Sequence, residues 1–556
     1  MTDDTAPAAT LTDRVRAWIA EDPDPAGRDE LIALLDAGDT AELADRFAGP
    51  LTFGTAGLRG PLRAGPNGMN LAVVRQAAAG LIAWLVDNAT TAEEPLVIGF
   101  DARRGSAEFA AETARVATGA GLRALVMPRP LPTPLLAFAV RHFRGCAGVM
   151  VTASHNPPQD NGYKVYLGAR LGGALGAGAQ IVPPVDAEIS ARIAAVRKLS
   201  AVPLGPGGET LGEDIVAAYV AAAARVVEAD GARDLVVAYT PLHGVGGQVV
   251  VDAFTRAGFA APAVAKAQWA PDGAFPTVAF PNPEEPGAMD HVIALAGEIG
   301  ADIAIANDPD ADRCAVAVPA GGTWRMLRGD EVGVLLADHL MRRGVRGTYA
   351  TTVVSSSLLR AMAADRGAGY GETLTGFKWI VRAAEDLAFG YEEALGYCVD
   401  PASVRDKDGI SAALVVAELA AGLKSELRTL TDRLDELAVR YGLYATDQLS
   451  VRVDDLAEIA AAMARLRAKM PTTLLDEPVT AAEDRLPDAD VVILRTAEAR
   501  VVVRPSGTEP KLKAYLEVVE PVVDGDTAAA RERASAALTA LRTETAAALG
   551  IWSVAP

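Results

Sequence analysis

The order of short apolar runs and amphipathic stretches constrains this chain most. The pattern predicts strands over 96–100, 124–127 and 147–151, with helices over 105–120 and 134–143 between them. Parallel strands need crossover helices, so this order yields a largely parallel sheet covered by helices. It recurs in strands over 235–239, 261–265 and 301–306 with helices over 247–257 and 291–299. A third round runs through helices over 331–342 and 357–365, extended pieces over 349–354 and 371–375, and a helix from Phe377 onward. Helices over 409–425 and 429–442 then lead into a different tail. It holds a strand over 449–453, a helix over 456–469, and strands over 491–495 and 500–503 around a short turn. A strand over 513–519 and an Ala-rich helix over 527–549 complete an α+β pattern with an antiparallel sheet. Residues 1–50 are polar and helical, with amphipathic pieces over 11–20 and 28–47. The fold class is α/β: three related mixed α/β-sheet domains and a C-terminal α+β domain. The boundaries are 1–205, 206–320, 321–442 and 443–556. One large doubly wound sheet with insertions is the alternative.

With 556 residues the chain is too long for one core. A formal net charge of −20 argues against a general nucleic-acid or anionic-membrane binder. A phosphate ester would therefore need a local basic island in an acidic surface. Cys146, Cys314 and Cys398 form no CxxC pair, which points to a reducing compartment and no zinc site. The acidic N-terminus is unlike a signal or transit peptide. No apolar run reaches membrane-spanning length; the one over 412–423 is broken by Glu418 and reads as a buried helix. A cytoplasmic location is the expectation.

Three loops carry chemistry. Thr152-Ala-Ser-His-Asn-Pro-Pro-Gln-Asp-Asn-Gly162 follows the apolar run 147–151 and displays the Ser154 hydroxyl at a strand end. Asp308-Pro-Asp-Ala-Asp-Arg313 follows the apolar run 301–306, where open α/β sheets hold ligands. Asp308, Asp310 and Asp312 at alternate positions of an extended loop turn to one side. Three such carboxylates repel unless a cation neutralises them, and hard oxygen ligands favour Mg²⁺ or Ca²⁺. An EF-hand is excluded, because Arg313 stands where Gly is needed and Pro319 where Glu is needed. Arg504-Pro-Ser-Gly-Thr-Glu-Pro-Lys511 lies between two strands of the tail. Ser506, Gly507 and Thr508 offer N–H groups and hydroxyls to an oxyanion, and Arg504 and Lys511 add charge. A plain hairpin loop is the competing reading.

Two further regions are weaker alone. Phe53-Gly-Thr-Ala-Gly-Leu-Arg59-Gly60 sets glycines around one Arg, suiting close approach to an anion. Thr375-Gly376-Phe-Lys378, the pair Glu392 and Glu393, and Asp406-Lys407-Asp408-Gly409 form the last set. The paired Glu can accept hydrogen bonds from vicinal sugar hydroxyls, and Lys378 and Lys407 can hold phosphate. No GxSxG elbow and no GxxxxGK[ST] loop occurs, which disfavours a serine hydrolase and a P-loop kinase.

From Phe53 to Tyr515 these segments resemble the signatures of the α-D-phosphohexomutases (the phosphoglucomutase/phosphomannomutase family), in that family's order. The resemblance implies four domains around a central active-site cleft, supplying nucleophile, metal, sugar and phosphate loops in turn. It implies interconversion of glucose 1-phosphate and glucose 6-phosphate, and possible action on mannose phosphates, through phosphorylated Ser154 and glucose 1,6-bisphosphate. Mg²⁺ would sit on Asp308, Asp310, Asp312 and the Ser154 phosphate. Arg59 and Arg313 would stabilise the transferring group. Lys164 and His155 are the candidates for proton transfer, and His155 is expected to face away from Ser154 in an extended segment. Thr375, Gly376, Lys378, Glu392, Glu393, Lys407, Arg504, Ser506, Gly507, Thr508 and Lys511 would bind the sugar phosphate. The partners are then small sugar phosphates, with no nucleic acid and no membrane, and both monomer and homodimer stay open.

Residues 240–247 and 280–289 also look like the branch that includes phosphopentomutases and glucose-1,6-bisphosphate synthases. Ala394 stands where many phosphoglucomutases carry Ser after the paired Glu, which leaves a pentose phosphate or bisphosphate synthesis as alternatives. A non-catalytic sugar-phosphate sensor would be expected to lose Ser154 or part of the Asp trio, and all are present.

Overall fold

The structure, a computed structural model, describes residues 10–88, 93–453, 455–506 and 511–551. The chain divides into two compact units. One is formed by the chain up to Leu327 together with Gly396–Gly422, the other by Arg328–Leu395 and the chain from Leu423 on. Residues 396–422 thus join the first unit, although they lie inside the third segment drawn from sequence.

The first unit opens with helices Leu11–Glu21, Pro25–Ala37 and Thr40–Arg46. The single amphipathic piece expected over 28–47 is broken, because Gly38 adopts a left-handed conformation with φ 66° and ends the second helix. Val15, Leu31, Leu43 and Phe47 bury against Ala64. A six-stranded sheet follows, in the order Leu58–Pro61, Asp160–Leu167, Ala147–Val151, Leu96–Phe100, Ala124–Val126, Glu209–Thr210. The last four strands are parallel, as the β-α-β order requires. The first two are antiparallel additions, so the sheet is mixed. All five residues of Leu96–Phe100 and of Ala147–Val151 are buried, as in strands covered on both faces. The strand Asp160–Leu167 is hidden in the sequence by its Asp-Asn-Gly start, which reads as turn.

A second sheet of this unit runs Thr323–Met326, Ala315–Ala320, Ile303–Ala306, Val237–Thr240, Ala263–Val264. Its Ile303–Ala306 strand delivers the aspartate loop, and Ala147–Val151 delivers the serine loop.

In the second unit, Thr348–Thr352 pairs in parallel with Gly369–Thr373 on one side and Leu387–Glu392 on the other. The helix expected from Phe377 onward spans only Phe377–Ile380, and the buried strand Leu387–Glu392 takes its place. The tail forms the expected antiparallel sheet, in the order Leu443–Arg452, Lys511–Glu520, Ala499–Pro505, Val492–Arg495, Ala481–Asp484. Its first strand begins six residues before the predicted one. Helices Leu456–Ala468 and Thr527–Leu549 bury Met463, Leu466, Leu541 and Leu549 against Val492, Val501 and Leu516.

Candidate active site

Ser154 sits just beyond the strand Ala147–Val151 with φ 49° and is 3% exposed. A non-glycine residue in the left-handed region is uncommon and marks a constrained loop. The Thr152 hydroxyl stabilises that turn by accepting from the Ser154 N–H at 2.9 Å. The Ser154 Oγ donates to Asp308 Oδ2 at 2.8 Å. It also lies 3.2 Å from His155 Nδ1. The expectation that His155 faces away is therefore corrected: the left-handed Ser154 breaks the alternation of an extended chain and turns the imidazole back. Burial, and then Arg313 and Arg59, hold the His155 pKa well below its ordinary value, so the ring is neutral.

The aspartate loop is a turn and not an extended segment, with Ala311 at φ 55°. The turn brings one oxygen each of Asp308, Asp310 and Asp312 within 4.8 Å of one another. All three residues are fully buried. Thr133 Oγ1 and Lys164 Nζ donate to Asp310 Oδ2 at 2.6 Å and 2.8 Å. Lys164 also reaches Asp312 Oδ2 at 3.3 Å, and Lys407 Nζ lies 3.3 Å from the same oxygen. Asp310 Oδ1 and Asp312 Oδ1 are buried with no hydrogen-bond partner. Burial, reinforced by Asp310 and Asp312, raises the Asp308 pKa well above the carboxylate range. Burial works against ionisation of Asp310 too, but the Lys164 ammonium outweighs it and keeps that carboxyl ionised. Lys164 is itself pulled down by burial and raised more by Asp310 and Asp312, so it carries its charge. Two orphaned buried oxygens beside a third carboxylate fit a hard divalent cation.

Arginines surround this centre. Arg59, on the strand Leu58–Pro61, donates to Asn156 Oδ1 at 3.1 Å. Arg313 Nε lies 3.9 Å from Asp308 Oδ2, and the Arg313 backbone N–H donates to Asp308 Oδ1 at 3.1 Å. Sequence reasoning misses Arg103, although it follows the strand Leu96–Phe100 at the end where α/β sheets bind ligands. Its guanidinium donates to the carbonyls of Ser154 at 2.6 Å, Pro157 at 2.8 Å and Asp160 at 3.2 Å, and to that of Asn156. Lys407 is held from both sides: the Tyr166 hydroxyl donates to Asp406 Oδ2 and that of Tyr219 to Asp408 Oδ1, each at 2.8 Å.

In the second unit, Glu392 ends the strand Leu387–Glu392 and is 8% exposed. Glu393 Oε2 accepts from Ser355 Oγ at 3.0 Å and Thr352 Oγ1 at 3.4 Å, so its carboxylate is oriented by hydroxyls of its own unit. Thr375 and Gly376 precede the helix Phe377–Ile380, which carries Lys378; Gly376 has φ 117° and the Thr375 hydroxyl is buried. Arg504 and Lys511 lie on the paired strands Ala499–Pro505 and Lys511–Glu520. The Ser506 N–H donates to the Lys511 carbonyl at 2.7 Å and draws the two strand ends together. Gly507 and Thr508 lie outside the described residues.

Among the described residues no helix is long and apolar enough to cross a membrane. Models of the phosphoglucomutase/phosphomannomutase α/β/α domains I, II and III match residues 50–199, 217–321 and 328–441, and that of the C-terminal domain matches 449–534. A probable phosphomannomutase of Haemophilus influenzae is 45% identical over 459 residues, covering 81% of this chain and 93% of that protein. The phosphopentomutase of Mus musculus is 33% identical, covering 93% of this chain and 92% of its own. The crystal structure of a putative phosphomannomutase from Thermus thermophilus superposes with a TM-score of 0.70 at 26% identity. It covers 89% of this chain and 99% of its own. With all four domain models matched in order, the chain belongs to the phosphoglucomutase/phosphomannomutase family of the α-D-phosphohexomutase superfamily and is an intramolecular phosphotransferase.

Proposed function

We propose that the enzyme interconverts glucose 1-phosphate and glucose 6-phosphate through a phosphorylated Ser154 and glucose 1,6-bisphosphate. The observation that carries this is the Ser154 hydroxyl, 2.8 Å from Asp308, beside two aspartates with unpartnered oxygens. A Mg²⁺ held by Asp308, Asp310, Asp312 and an oxygen of the Ser154 phosphate would neutralise charge developing on the transferring group. The chain's own residues do the rest. Arg59 and Arg313 oppose the negative charge of the phosphoryl oxygens as it is transferred, which is the main contribution in such reactions. Arg504, Ser506, Thr508 and Lys511 grip the phosphate that stays on the sugar. Glu392, with Glu393 oriented by Ser355, accepts the sugar hydroxyls, and Lys378 and Lys407 add positive charge. His155, 3.2 Å from Ser154 Oγ, and Lys164, bonded to Asp310, are the groups near the reacting hydroxyl through which a proton could pass.

Ser154→Ala is expected to abolish turnover, and intact-mass spectrometry is expected to find a labile phosphate on the peptide holding Ser154. Substantial residual mutase activity would sink the phosphoserine role. A second reading, a phosphopentomutase, is favoured by Ala394 and by the name of the mouse relative. Comparing kcat/KM for glucose 1-phosphate, mannose 1-phosphate and ribose 1-phosphate, with and without added bisphosphate, separates the two.

A further inference from the structure

The connection from the short turn Lys266–Gln268 to the helix Asp290–Ile299 meets Arg103, which holds the Ser154 loop, and Arg313, beside Asp308. Phe275 is 2% exposed, has φ 47°, and lies over the Arg103 guanidinium with 4.8 Å between Cζ and the ring centroid. Its turn is closed by Phe275 N–H on the Asp272 carbonyl at 3.0 Å and Ala274 N–H on Asp272 Oδ1 at 2.8 Å. The turn is docked so closely that a Cβ on Gly273 would come within 2.8 Å of the Ala102 carbonyl oxygen and 3.0 Å of Arg103 Cα. Farther along the same segment, Glu284 Oε2 lies 3.8 Å from Arg313 Nη1.

Each contact constrains a guanidinium that has work elsewhere. Arg103 gives its fork to the carbonyls of the Ser154 loop, so its plane sets the height of that loop. An aromatic face over a guanidinium holds that plane and excludes water from it. Arg313 lies between Asp308, 3.9 Å from its Nε, and Glu284, 3.8 Å from its Nη1, so the two carboxylates attract the guanidinium at separate nitrogens. Loss of the Glu284 charge would draw Arg313 toward Asp308.

We propose that Phe275 and Glu284 are positioning residues for phosphoryl transfer at Ser154, Phe275 acting through Arg103 and Glu284 through Arg313. This rests on the reading of Ser154 as the phosphate carrier.

The test uses the full chain with Phe275→Leu, Phe275→Tyr, Glu284→Gln and Glu284→Asp. For each, kcat and KM are measured at saturating glucose 1,6-bisphosphate, with the phosphorylatable fraction of Ser154 from intact mass and the melting midpoint. Small misplacements at a reacting centre are costly, so Phe275→Leu and Glu284→Gln should each lower kcat about tenfold with KM within about twofold. The Tyr and Asp variants should recover most of the rate. A role in folding alone would move the melting midpoint and the phosphorylatable fraction but leave kcat per phosphorylatable Ser154 unchanged, and that result overturns the proposal. Equal losses in Phe275→Leu and Phe275→Tyr overturn it as well. Should Phe275→Leu fail to fold, Glu284 decides, since its side chain is 41% exposed. If the parent protein takes no phosphate on Ser154, the underlying reading falls and the proposal with it. If it takes phosphate and the variants match the parent, the proposal alone falls.

Discussion

Single residues in this protein owe their chemistry to backbone angles and to neighbouring charge. Ser154 at φ 49° brings its own hydroxyl and the next imidazole to one point, which no alternation rule over the letters could foresee. Asp330 in the second unit is a second case. Its Oδ1 accepts from the Ser356 N–H at 2.7 Å and the Tyr391 hydroxyl at 3.2 Å. Burial raises its pKa from 3.8 to about 7, the Ser356 N–H opposing and Glu393 and Glu517 adding to the rise. Such a shift corresponds to roughly 4 kcal/mol. The sign follows from proton uptake: between the two values the folded chain holds a proton that the unfolded chain has lost. Stability therefore falls as pH climbs from about 4 to about 7 and is level above. In Asp330→Asn that part of the fall should vanish. Urea midpoints of parent and variant at pH 4.5 and 7.5 check this, and parallel curves would assign the titration elsewhere.

At the scale of elements, the site depends on a strand that contributes little of its own hydrogen bonding. Among the described residues Leu58–Pro61 pairs along one edge only, with Arg59 opposite Gly162. Gly57 starts it at φ 76°, and a Cβ there would collide with the Tyr163 carbonyl oxygen. Gly57→Ala should therefore lift the strand, displace Arg59 and remove most activity. Gly38→Ala is the contrast: φ is 66° but open space surrounds the Cβ. It should cost only the left-handed strain of about 1–2 kcal/mol and keep full activity. Thermal melts and steady-state rates on both variants separate collision from strain. The sequence makes Leu96–Phe100, Ala147–Val151 and the helix Thr527–Leu549 legible, because buried runs and long periodic stretches carry their own signal. Asp160–Leu167 and Leu387–Glu392 are not, since one starts in turn residues and the other sits beside a short helix whose apolar run continues toward it. Ser154 and the aspartates are legible as motifs. Arg103, Tyr166 and Tyr219 act through partners far away in sequence, and no local pattern marks them.

For the whole molecule, a net charge of −20 sets the problem of attracting an anion. The first unit answers it locally: Arg59, Arg103, Arg313, Lys164 and Lys407 all gather around the Ser154 and aspartate loops. Even so, Asp310 Oδ1 and Asp312 Oδ1 stay buried without a hydrogen-bond partner. Added Mg²⁺ should then raise the melting midpoint, by the equivalent of about 2.7 kcal/mol at a free concentration of about 100 Kd. EDTA should reverse the rise and Asp312→Asn should abolish it; a midpoint indifferent to Mg²⁺ in the parent would refute the proposed metal site.

The return of Gly396–Gly422 to the first unit also sets a timetable for synthesis. A ribosome that has released Leu327 has made the Ser154 loop and all three aspartates but not Lys407, whose ammonium faces Asp312, nor Asp406 and Asp408, which satisfy Tyr166 and Tyr219. At about 5–20 residues per second, the nascent unit waits on the order of ten seconds for them. During that interval Asp312 lacks the Lys407 ammonium, and the Tyr166 and Tyr219 hydroxyls lack the carboxylates that accept from them.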